Sequence, residues 1–425
     1  MYKSIPIQII EENYQRAKQI YATYGVDTDK VLKQLKEIPL SIHCWQGDDV
    51  TGFEPGKDAL SGGGILATGN FPGKARNSKE LKDDLEEVLS LVPGSYKLNL
   101  HAIYAETDGK RVERDQLKPE HFKGWIEWAK KNNVGLDFNP TLFSHPLADS
   151  GYTLASKDKK IREFWIRHVK ASREIALEMG KELNTVCINN LWIPDGSKDF
   201  PADKMSPRKI LKESLDEIYE DKLDPRYIRD SVESKLFGIG SEAYVVGSHE
   251  FYLGYAVKNN LLLCLDSGHF HPTEDISDKI SAILNFVNGL LLHLSRGLHW
   301  DSDHVVTFND QIIAIAREVK HSGALERVYF ALDFFDASIN RITAWVTGIR
   351  AAKKAILFAL LEPTHLLVEA ENSGNLGDRL ALSEEFKSLP FGSVWDMFCL
   401  EEDVPVGSEW LNRVAEYTNR VILKR

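Results

Sequence analysis

The sequence predicts a (β/α)₈ barrel with an N-terminal helix and a C-terminal helical extension. The first observation behind this prediction is a series of eight short, mostly apolar runs, as expected for parallel strands buried on both faces. They lie at 39–45, 96–104, 134–140, 185–190, 231–235, 261–266, 290–295 and 328–333. Eight such strands alternating with helices favour a closed parallel barrel, and an open doubly wound sheet is the alternative.

The second observation is that the segments between these runs carry apolar residues at helical spacings of three and four. They lie at 78–92, 118–133, 156–180, 206–223, 250–260, 275–289 and 309–323. A leading helix at roughly 8–37 and a helical tail lie outside the eight units. We therefore expect an N-terminal helical segment at 1–37, a catalytic barrel at 38–336 and an extension at 337–425 that serves oligomerisation.

Composition restricts the possible partners and location of the chain. The 425 residues carry a formal net charge of −11, which disfavours nucleic acid or an anionic membrane as the main partner. Four widely spaced cysteines form no C-x-x-C pair and are expected as reduced residues, three of them in apolar strand-like runs. The amino terminus turns polar within ten residues, and no run approaches the ~20 apolar residues of a membrane span. We expect a cytoplasmic protein.

Acidic, basic and imidazole side chains fall near the carboxyl ends of the predicted strands, where (β/α)₈ barrels place their active sites. They are Glu233 and Lys235, Asp266 and His269, His293, Asp301 and Asp303, and Asp333. Two like charges about 4 Å apart repel by roughly 4 kcal/mol at an effective dielectric constant near 20. Five carboxylates with one lysine must therefore be protonated or bind cations. Carboxylates mixed with imidazoles suit Mn²⁺, Mg²⁺, Co²⁺ or Zn²⁺.

These ligands divide into two sets by their positions. The set on four successive strands, which can surround one ion on the barrel axis, is Glu233, Asp266, His293 and Asp333. The set in the loops after strands six and seven, which can hold a second ion with open positions, is His269, Asp301 and Asp303. Alternate residues of an extended segment share a face, so Asp301 and Asp303 can reach one ion. Each residue alone also has an ordinary structural explanation, and the joint pattern predicts the metal site.

Several segments resemble those of the L-rhamnose isomerase family. VESKLFGIGSEAYVVGSHEFY, LLLCLDSGHFHPTE and LHWDSDHVV are similar to its metal-binding segments, and PLSIHCWQGDDVTGFE and GILATGNFPGKARN match it near the amino terminus. The resemblance implies a barrel assembled as a homotetramer, with two divalent ions per subunit, usually Mn²⁺. It also implies that the first set holds a structural ion and the second a catalytic ion, with Asp266 bridging or nearby. Lys235 corresponds to a lysine that polarises the substrate.

The implied reaction interconverts L-rhamnose and L-rhamnulose, the first step of L-rhamnose catabolism. A divalent ion that binds both reacting oxygens polarises the carbonyl and acidifies the hydroxyl. A hydroxide on the metal or a carboxylate such as Asp303 then moves the proton, which permits a 1,2-hydride shift, and Lys235 stabilises the charge on the carbonyl oxygen. A cis-enediol path with a carboxylate base stays open. Lys235, Asp303 and Asp333 are the candidate catalytic residues.

Residues expected to bind the sugar follow the first four strands or lie in a glycine-rich stretch at 61–76. They are Trp45, His101, Phe143, Trp192 and Phe71, with core or rim packing as the alternative. A 6-deoxy sugar offers a methyl group, and each buried carbon contributes roughly 0.8 kcal/mol. The glycine-rich stretch lacks the G-K-[ST] ending of a phosphate loop, so a lid or an intersubunit contact is the better prediction.

Three other functions compete with this interpretation. The first is a metal-dependent barrel isomerase of a related rare aldose, because the ligand set reports the reaction more than the sugar. The second is a metal-dependent barrel hydrolase or endonuclease, although a nuclease needs a basic groove. The third is a sugar-binding protein without catalytic activity, which leaves the carboxylate cluster unexplained.

Overall fold

Eight parallel strands form a closed barrel in the computed structural model, which describes residues 2–55, 67–236, 243–271 and 273–425. The strands are β1 (Leu40–His43), β2 (Tyr96–His101), β3 (Gly135–Asn139), β4 (Cys187–Trp192), β5 (Ile228–Glu233), β6 (Leu262–Asp266), β7 (Leu290–Leu294) and β8 (Val328–Leu332). Each strand pairs with its neighbour in sequence, and Leu40 of β1 lies opposite both Tyr96 of β2 and Phe330 of β8. This closure confirms the predicted fold class.

The fifth strand begins three residues earlier than the sequence pattern placed it and ends two residues earlier. It begins at Ile228 rather than 231 and ends at Glu233. The charged residues Arg229 and Asp230 obscured its start, because charges are rare in a buried strand. Asp230 is neutralised by a contact of 3.0 Å from its Oδ2 to Arg173 Nη2. Lys235 therefore follows the strand instead of ending it.

Fourteen α-helices lie in the described part of the chain. They are α1 (Ile7–Thr23), α2 (Thr28–Glu37), α3 (Ser78–Leu89), α4 (Lys123–Asn132), α5 (Lys159–Leu183), α6 (Met205–Ile218), α7 (His249–Asn259), α8 (Ser277–Leu284), α9 (Asp310–His321), α10 (Arg341–Leu361), α11 (Thr364–Asn372), α12 (Leu376–Glu385), α13 (Phe391–Glu401) and α14 (Trp410–Arg420). Helices α3 to α10 follow the eight strands in turn, so each strand is followed along the chain by one outer helix.

The eighth outer helix belongs to the segment that the sequence pattern assigned to the extension. Helix α10 packs against α9 and contacts β1, and eighteen of its twenty-one residues are buried. A helix buried on all sides shows little of the amphipathic period that marks an outer helix in a sequence. The three predicted segments stay a prediction, and this packing favours a barrel that extends to Leu361 rather than 336.

The single leading helix predicted at 8–37 is wrong, because the chain turns between α1 and α2. Gly25 has a φ of 74°, a left-handed conformation that favours glycine. Asp27 then caps α2, since its Oδ1 accepts hydrogen bonds from the backbone N–H groups of Asp29 and Lys30 at 3.1 and 3.2 Å. Helix α1 packs against α13, and α2 packs against α10.

Outside the barrel, the described residues form two small β-ribbons. Gly196–Ser197 pairs with Tyr244–Val245, and Arg296–Leu298 pairs with Trp300–His304, both antiparallel. The four cysteines are buried and free of disulfides, as expected. Among the described residues, no helix combines the length and the apolar composition that crossing a membrane requires.

Candidate metal centre and substrate cleft

The first predicted ligand set meets inside the barrel near the carboxyl ends of its strands. Its members, each with a donor atom within 4.8 Å of the others, are Glu233, Asp266, His293 and Asp333. His293 Nδ1 lies 3.1 Å from Asp333 Oδ2, 3.5 Å from Glu233 Oε2 and 3.8 Å from Asp266 Oδ2. Parallel pairing sets this geometry, because Asp266 lies opposite His293 in register.

The second predicted set also comes together. The donor atoms of His269, Asp301 and Asp303 lie within 4.8 Å of one another. The two aspartates belong to the strand Trp300–His304 of a small β-ribbon rather than to an irregular loop, and Asp303 has a left-handed backbone with a φ of 46°. Asp266 lies between the two sets, with its Oδ2 4.0 Å from His269 Nε2.

The loop after β6 passes close to both sets because it contains glycine. A Cβ atom at Gly268 would lie 2.8 Å from Ser295 Oγ and 3.0 Å from Asp301 Oδ1. The Gly268 N–H and the Ser295 hydroxyl donate hydrogen bonds to Asp266 Oδ1 at 2.6 and 2.9 Å. One oxygen of Asp266 is thereby fixed by the protein, and the other faces the ligand sets.

The arrangement fits bound divalent cations. Within the described ranges, Asp266 Oδ2, Asp301 Oδ1 and His293 Nε2 are buried and make no hydrogen bond, a condition that costs free energy unless a cation satisfies these atoms. His269 Nδ1 lies 3.0 Å from the Ser234 carbonyl, so a tautomer that donates from Nδ1 leaves Nε2 available as a ligand. The donors are oxygens and imidazole nitrogens, the types that suit Mn²⁺, Zn²⁺, Co²⁺ and Mg²⁺.

The electrostatics of the protein alone show the excess of negative charge. Burial disfavours the imidazolium form of His269, yet the carboxylates of Asp266 and Asp301 raise its pKa to about 10. Burial raises the pKa of Asp266 to about 7, and burial together with Asp301 raises that of Asp303 well above its usual range. Protons on these groups therefore offset part of the negative charge of the site. A cation that binds displaces these protons and takes over that role.

Lys235 is the cation closest to the second set among the predicted site residues. Its Nζ lies 2.9 Å from Asp301 Oδ2 and 5.1 Å from the centre of the Trp192 ring. Burial lowers the pKa of this lysine, but Asp301 and Asp303 outweigh burial and hold the pKa above its usual range. With the second set free of metal, Lys235 therefore carries a positive charge near neutral pH.

An aromatic wall faces the ligands across the same cleft. The predicted sugar-binding residues that line it are Trp45, His101, Phe143 and Trp192. His101 packs edge-to-face between Trp45 and Phe143, with ring centres 4.8 and 5.6 Å away. Burial lowers its pKa to about 4, so the imidazole is neutral and its Nδ1 bonds the Thr141 hydroxyl at 3.2 Å.

Phe71 is placed apart from this group. It is not among the described residues that line the cleft, and its carbonyl accepts a hydrogen bond from Arg341 Nη1 at 2.9 Å. The Arg341 guanidinium also pairs with Asp49 at 2.8 Å, so it ties the region of Phe71 to the loop after β1. Residues 61–66 of the glycine-rich stretch lie outside the described residues.

The sequence interpretation missed several residues of the cleft. Asn190 Nδ2 donates to Glu233 Oε2 at 2.6 Å, and Asn139, Val50 and Phe335 also line the cleft. The two asparagines lie at or near the carboxyl ends of β4 and β3, where the rule that selected the acidic residues would also have selected them.

Arg114 is a second omission, and nothing in its local sequence indicates its role. Its buried guanidinium pairs with Glu54 at 2.8 and 2.9 Å and donates to the carbonyls of Thr141 and Phe143 at 2.7 and 2.6 Å. These contacts join the loop after β1 to the loop after β3 and fix the position of Phe143 in the aromatic wall.

Comparison with known proteins identifies the family of the chain. The model of the L-rhamnose isomerase (RhaA) family matches residues 8–425. The chain belongs to this family. It is 56% identical over 416 residues to the L-rhamnose isomerases of Salmonella paratyphi B and Salmonella newport, with 98% of this chain and 99% of each relative covered. These matches confirm the predicted family and the predicted enzyme class, an aldose–ketose isomerase acting on L-rhamnose.

A solved structure outside the family shares the fold. The structure of L-ribulose 3-epimerase aligns with a TM-score of 0.50 at 11% sequence identity, and the alignment covers 76% of this chain and 95% of that chain. At this low identity the similarity concerns the fold, and it agrees with the closed barrel described above.

Proposed function

We propose that the chain interconverts L-rhamnose and L-rhamnulose by a metal-assisted hydride shift between C1 and C2, the first step of L-rhamnose catabolism. The observation that carries this proposal is the shared cleft, in which two sets of cation ligands face an aromatic wall. An aldose–ketose isomerase needs both: polar groups that hold the two reacting oxygens, and an apolar surface that holds the rest of a 6-deoxy sugar.

Two divalent cations per chain fit the two sets. The axial set, which we assign to a structural ion, comprises Glu233, Asp266, His293 and Asp333. The loop set, which we assign to a catalytic ion, comprises His269, Asp301 and Asp303. A bound divalent cation supplies Lewis acidity, which polarises the substrate carbonyl and lowers the pKa of the neighbouring hydroxyl.

The side chains of the chain itself supply the remaining steps. Lys235 lies beside Asp301 and points its ammonium into the cleft, where it stabilises negative charge that develops on the carbonyl oxygen. Asp303 lines the same cleft and is the group that passes the proton between O1 and O2. Asp333 orients the substrate from the opposite side, where the Trp45 indole donates a hydrogen bond to its Oδ1 at 3.1 Å.

The aromatic wall determines how the sugar lies. Trp45, Phe143 and Trp192 present apolar surface to the carbon side of the ring, and neutral His101 offers a hydrogen-bonding nitrogen. Trp45 and Phe143 are buried, so a sugar bound against them displaces water, which strengthens the electrostatic contacts to the reacting atoms.

The finer assignments follow the family resemblance. Mn²⁺ is the proposed ion, with Co²⁺, Zn²⁺ or Mg²⁺ as alternatives, because the donors are oxygens and imidazole nitrogens. A homotetramer in the cytoplasm is the proposed state, and the helices outside the barrel, α1, α2 and α11 to α14, are the candidates for subunit contacts. Phe71 keeps its proposed role as a contributor to such a contact or to a lid.

Metal analysis combined with an isomerase assay tests the proposal. We expect two divalent ions per chain, loss of turnover of L-rhamnose after chelation and its return with Mn²⁺. Asp303→Ala and His269→Ala should abolish turnover while circular dichroism shows an intact fold. Full activity in either variant, or activity that survives removal of the metal, would refute the assignment of the second set.

Two further assays separate the alternatives. Reaction in deuterated water leaves C1 and C2 unlabelled in a hydride shift, whereas label at either carbon indicates the enediol path. A comparison of kcat/KM on L-rhamnose, L-mannose, L-lyxose and D-allose tests the sugar, and a clear preference for a sugar other than L-rhamnose would revive the related-aldose alternative.

A further inference from the structure

A third group of metal-binding donors lies one layer deeper in the barrel than the axial set. The donor atoms of Glu233, Cys264 and His293 lie within 4.8 Å of one another. Cys264 precedes Asp266 by two residues on β6, so both side chains face the barrel interior. Glu233 of β5 lies directly opposite Cys264 in the strand register. The proposed mechanism makes no use of the thiol.

The imidazole of this group has an unsatisfied atom that points to a ligand. His293 is 1% exposed, and its Nε2 makes no hydrogen bond within the part of the chain that the structure describes. Cys264 is also 1% exposed, in a layer of apolar side chains that includes Ile188, Leu262 and Leu291. A lone buried cysteine is ordinarily a core residue, but here it adjoins a carboxylate and an imidazole whose Nε2 has no hydrogen bond in the described part of the chain.

The donors of the two layers differ in chemical softness. The axial set offers three carboxylates and one imidazole, which suit Mn²⁺ and Mg²⁺, whereas a thiolate favours soft or borderline cations. Glu233 and His293 belong to both groups, so an ion in one layer competes for these two ligands with an ion in the other. A cation that prefers sulfur is expected to move from the axial position toward Cys264.

We propose that Glu233, Cys264 and His293 form an alternative site for a thiophilic divalent cation, Cd²⁺ above all, which competes with the axial ion. The thiol releases its proton to solvent as the sulfur binds the cation. Because this ion takes two ligands from the axial set, it lowers isomerase activity instead of supporting it. The loss of activity rests on the proposed function of the axial set, whereas the binding itself does not.

Cadmium titration of the metal-stripped full-length chain tests the site. A Cd²⁺–thiolate bond absorbs in the ultraviolet by charge transfer from sulfur to metal, and a carboxylate–imidazole site does not. We expect this band to grow to one Cd²⁺ per chain in the wild type and to disappear in Cys264→Ser. The matched control is Cys187→Ser, which removes a buried thiol at the start of β4 and should keep the band.

Two more measurements complete the test: the Cd²⁺ affinity of Cys264→Ser and an NMR experiment on the wild type. Loss of even an outer partner of a metal ligand weakens binding by about 10–100-fold, so Cys264→Ser should weaken Cd²⁺ by at least about tenfold. Cadmium-113 NMR of the wild type should give a resonance typical of one sulfur ligand, which answers the question if the variant fails to fold. A wild type without the band, a resonance typical of oxygen and nitrogen ligands alone, or a band that persists in Cys264→Ser overturns the inference.

The outcome is distinguishable from a failure of the proposed function. A chain that turns over L-rhamnose with Mn²⁺ but shows no cadmium–sulfur band refutes the Cys264 site alone. A chain that shows the band but has no isomerase activity with any divalent cation refutes the proposed function, and the alternative site stands.

Discussion

Replacing Lys235 by Met should remove the stabilisation that its ammonium gives to negative charge on the carbonyl oxygen. The site should stay folded. The side chain is 16% exposed, so an effective dielectric constant near 20 is appropriate. An ammonium about 3 Å from a full oxyanion then contributes roughly 5 kcal/mol, of which only the charge that develops in the transition state counts. Removal of one such donor costs about 2.7–4 kcal/mol, so we expect kcat to fall by about 10²–10³-fold.

The assay is steady-state turnover of saturating L-rhamnose by the metal-loaded enzyme, with metal content measured on the same samples. Met preserves most of the length of the side chain, and loss of the ammonium beside Asp301 makes the site more negative, so bound metal should be retained. Lys235→Arg is the matched control, because it keeps the charge and should retain more activity.

A kcat for Lys235→Met within about threefold of the wild type, less than ~0.7 kcal/mol, would refute the reasoning. Loss of bound metal from this variant would instead indicate that Lys235 holds Asp301 in place.

Three further substitutions test the site and the barrel that supports it. Trp45→Phe keeps a ring but removes the N–H that holds Asp333, so the affinity for the axial ion should fall by about 10–100-fold in calorimetry, and an unchanged affinity would contradict this role. The lysine of Arg114→Lys cannot make the paired contact with Glu54, so KM for the sugar should rise by about tenfold with a smaller change in kcat. An unchanged KM would show that sugar binding does not need this link between the loops. Burial lowers the pKa of Lys353 to about 7, so above that pH the unfolded chain binds more protons than the folded one. The free energy of unfolding should therefore rise from pH 7 toward pH 10. This lysine contributes a slope of up to ~1.4 kcal/mol per pH unit. Lys353→Met should reduce that slope in urea unfolding, and an identical slope would show that the lysine is charged in the fold.

The sequence predicted the parts of the site that depend on strand order. Asp266 and His293 come from neighbouring parallel strands, and parallel pairing places their carboxyl ends side by side. A linear sequence therefore contains the information needed to group them. The same rule applies to Asn190, which was missed because an amide was not among the side chains considered.

Other features depend on contacts between distant parts of the chain. Arg114 acts through Glu54 and the loop after β3, and no local pattern indicates which carbonyls a buried guanidinium will meet. The start of β5 was misplaced and α10 was not distinguished from the rest of the helical tail, for opposite reasons. Charged residues interrupt the apolar run of β5, and burial on all sides removes the amphipathic period of α10.

Anomalous X-ray scattering at the manganese edge, from crystals of the Mn²⁺-loaded enzyme, tests the central claim most directly. Two peaks per chain should lie inside the barrel mouth, one surrounded by Glu233, Asp266, His293 and Asp333 and one by His269, Asp301 and Asp303. A single peak, or peaks that lie away from both sets, would contradict the account.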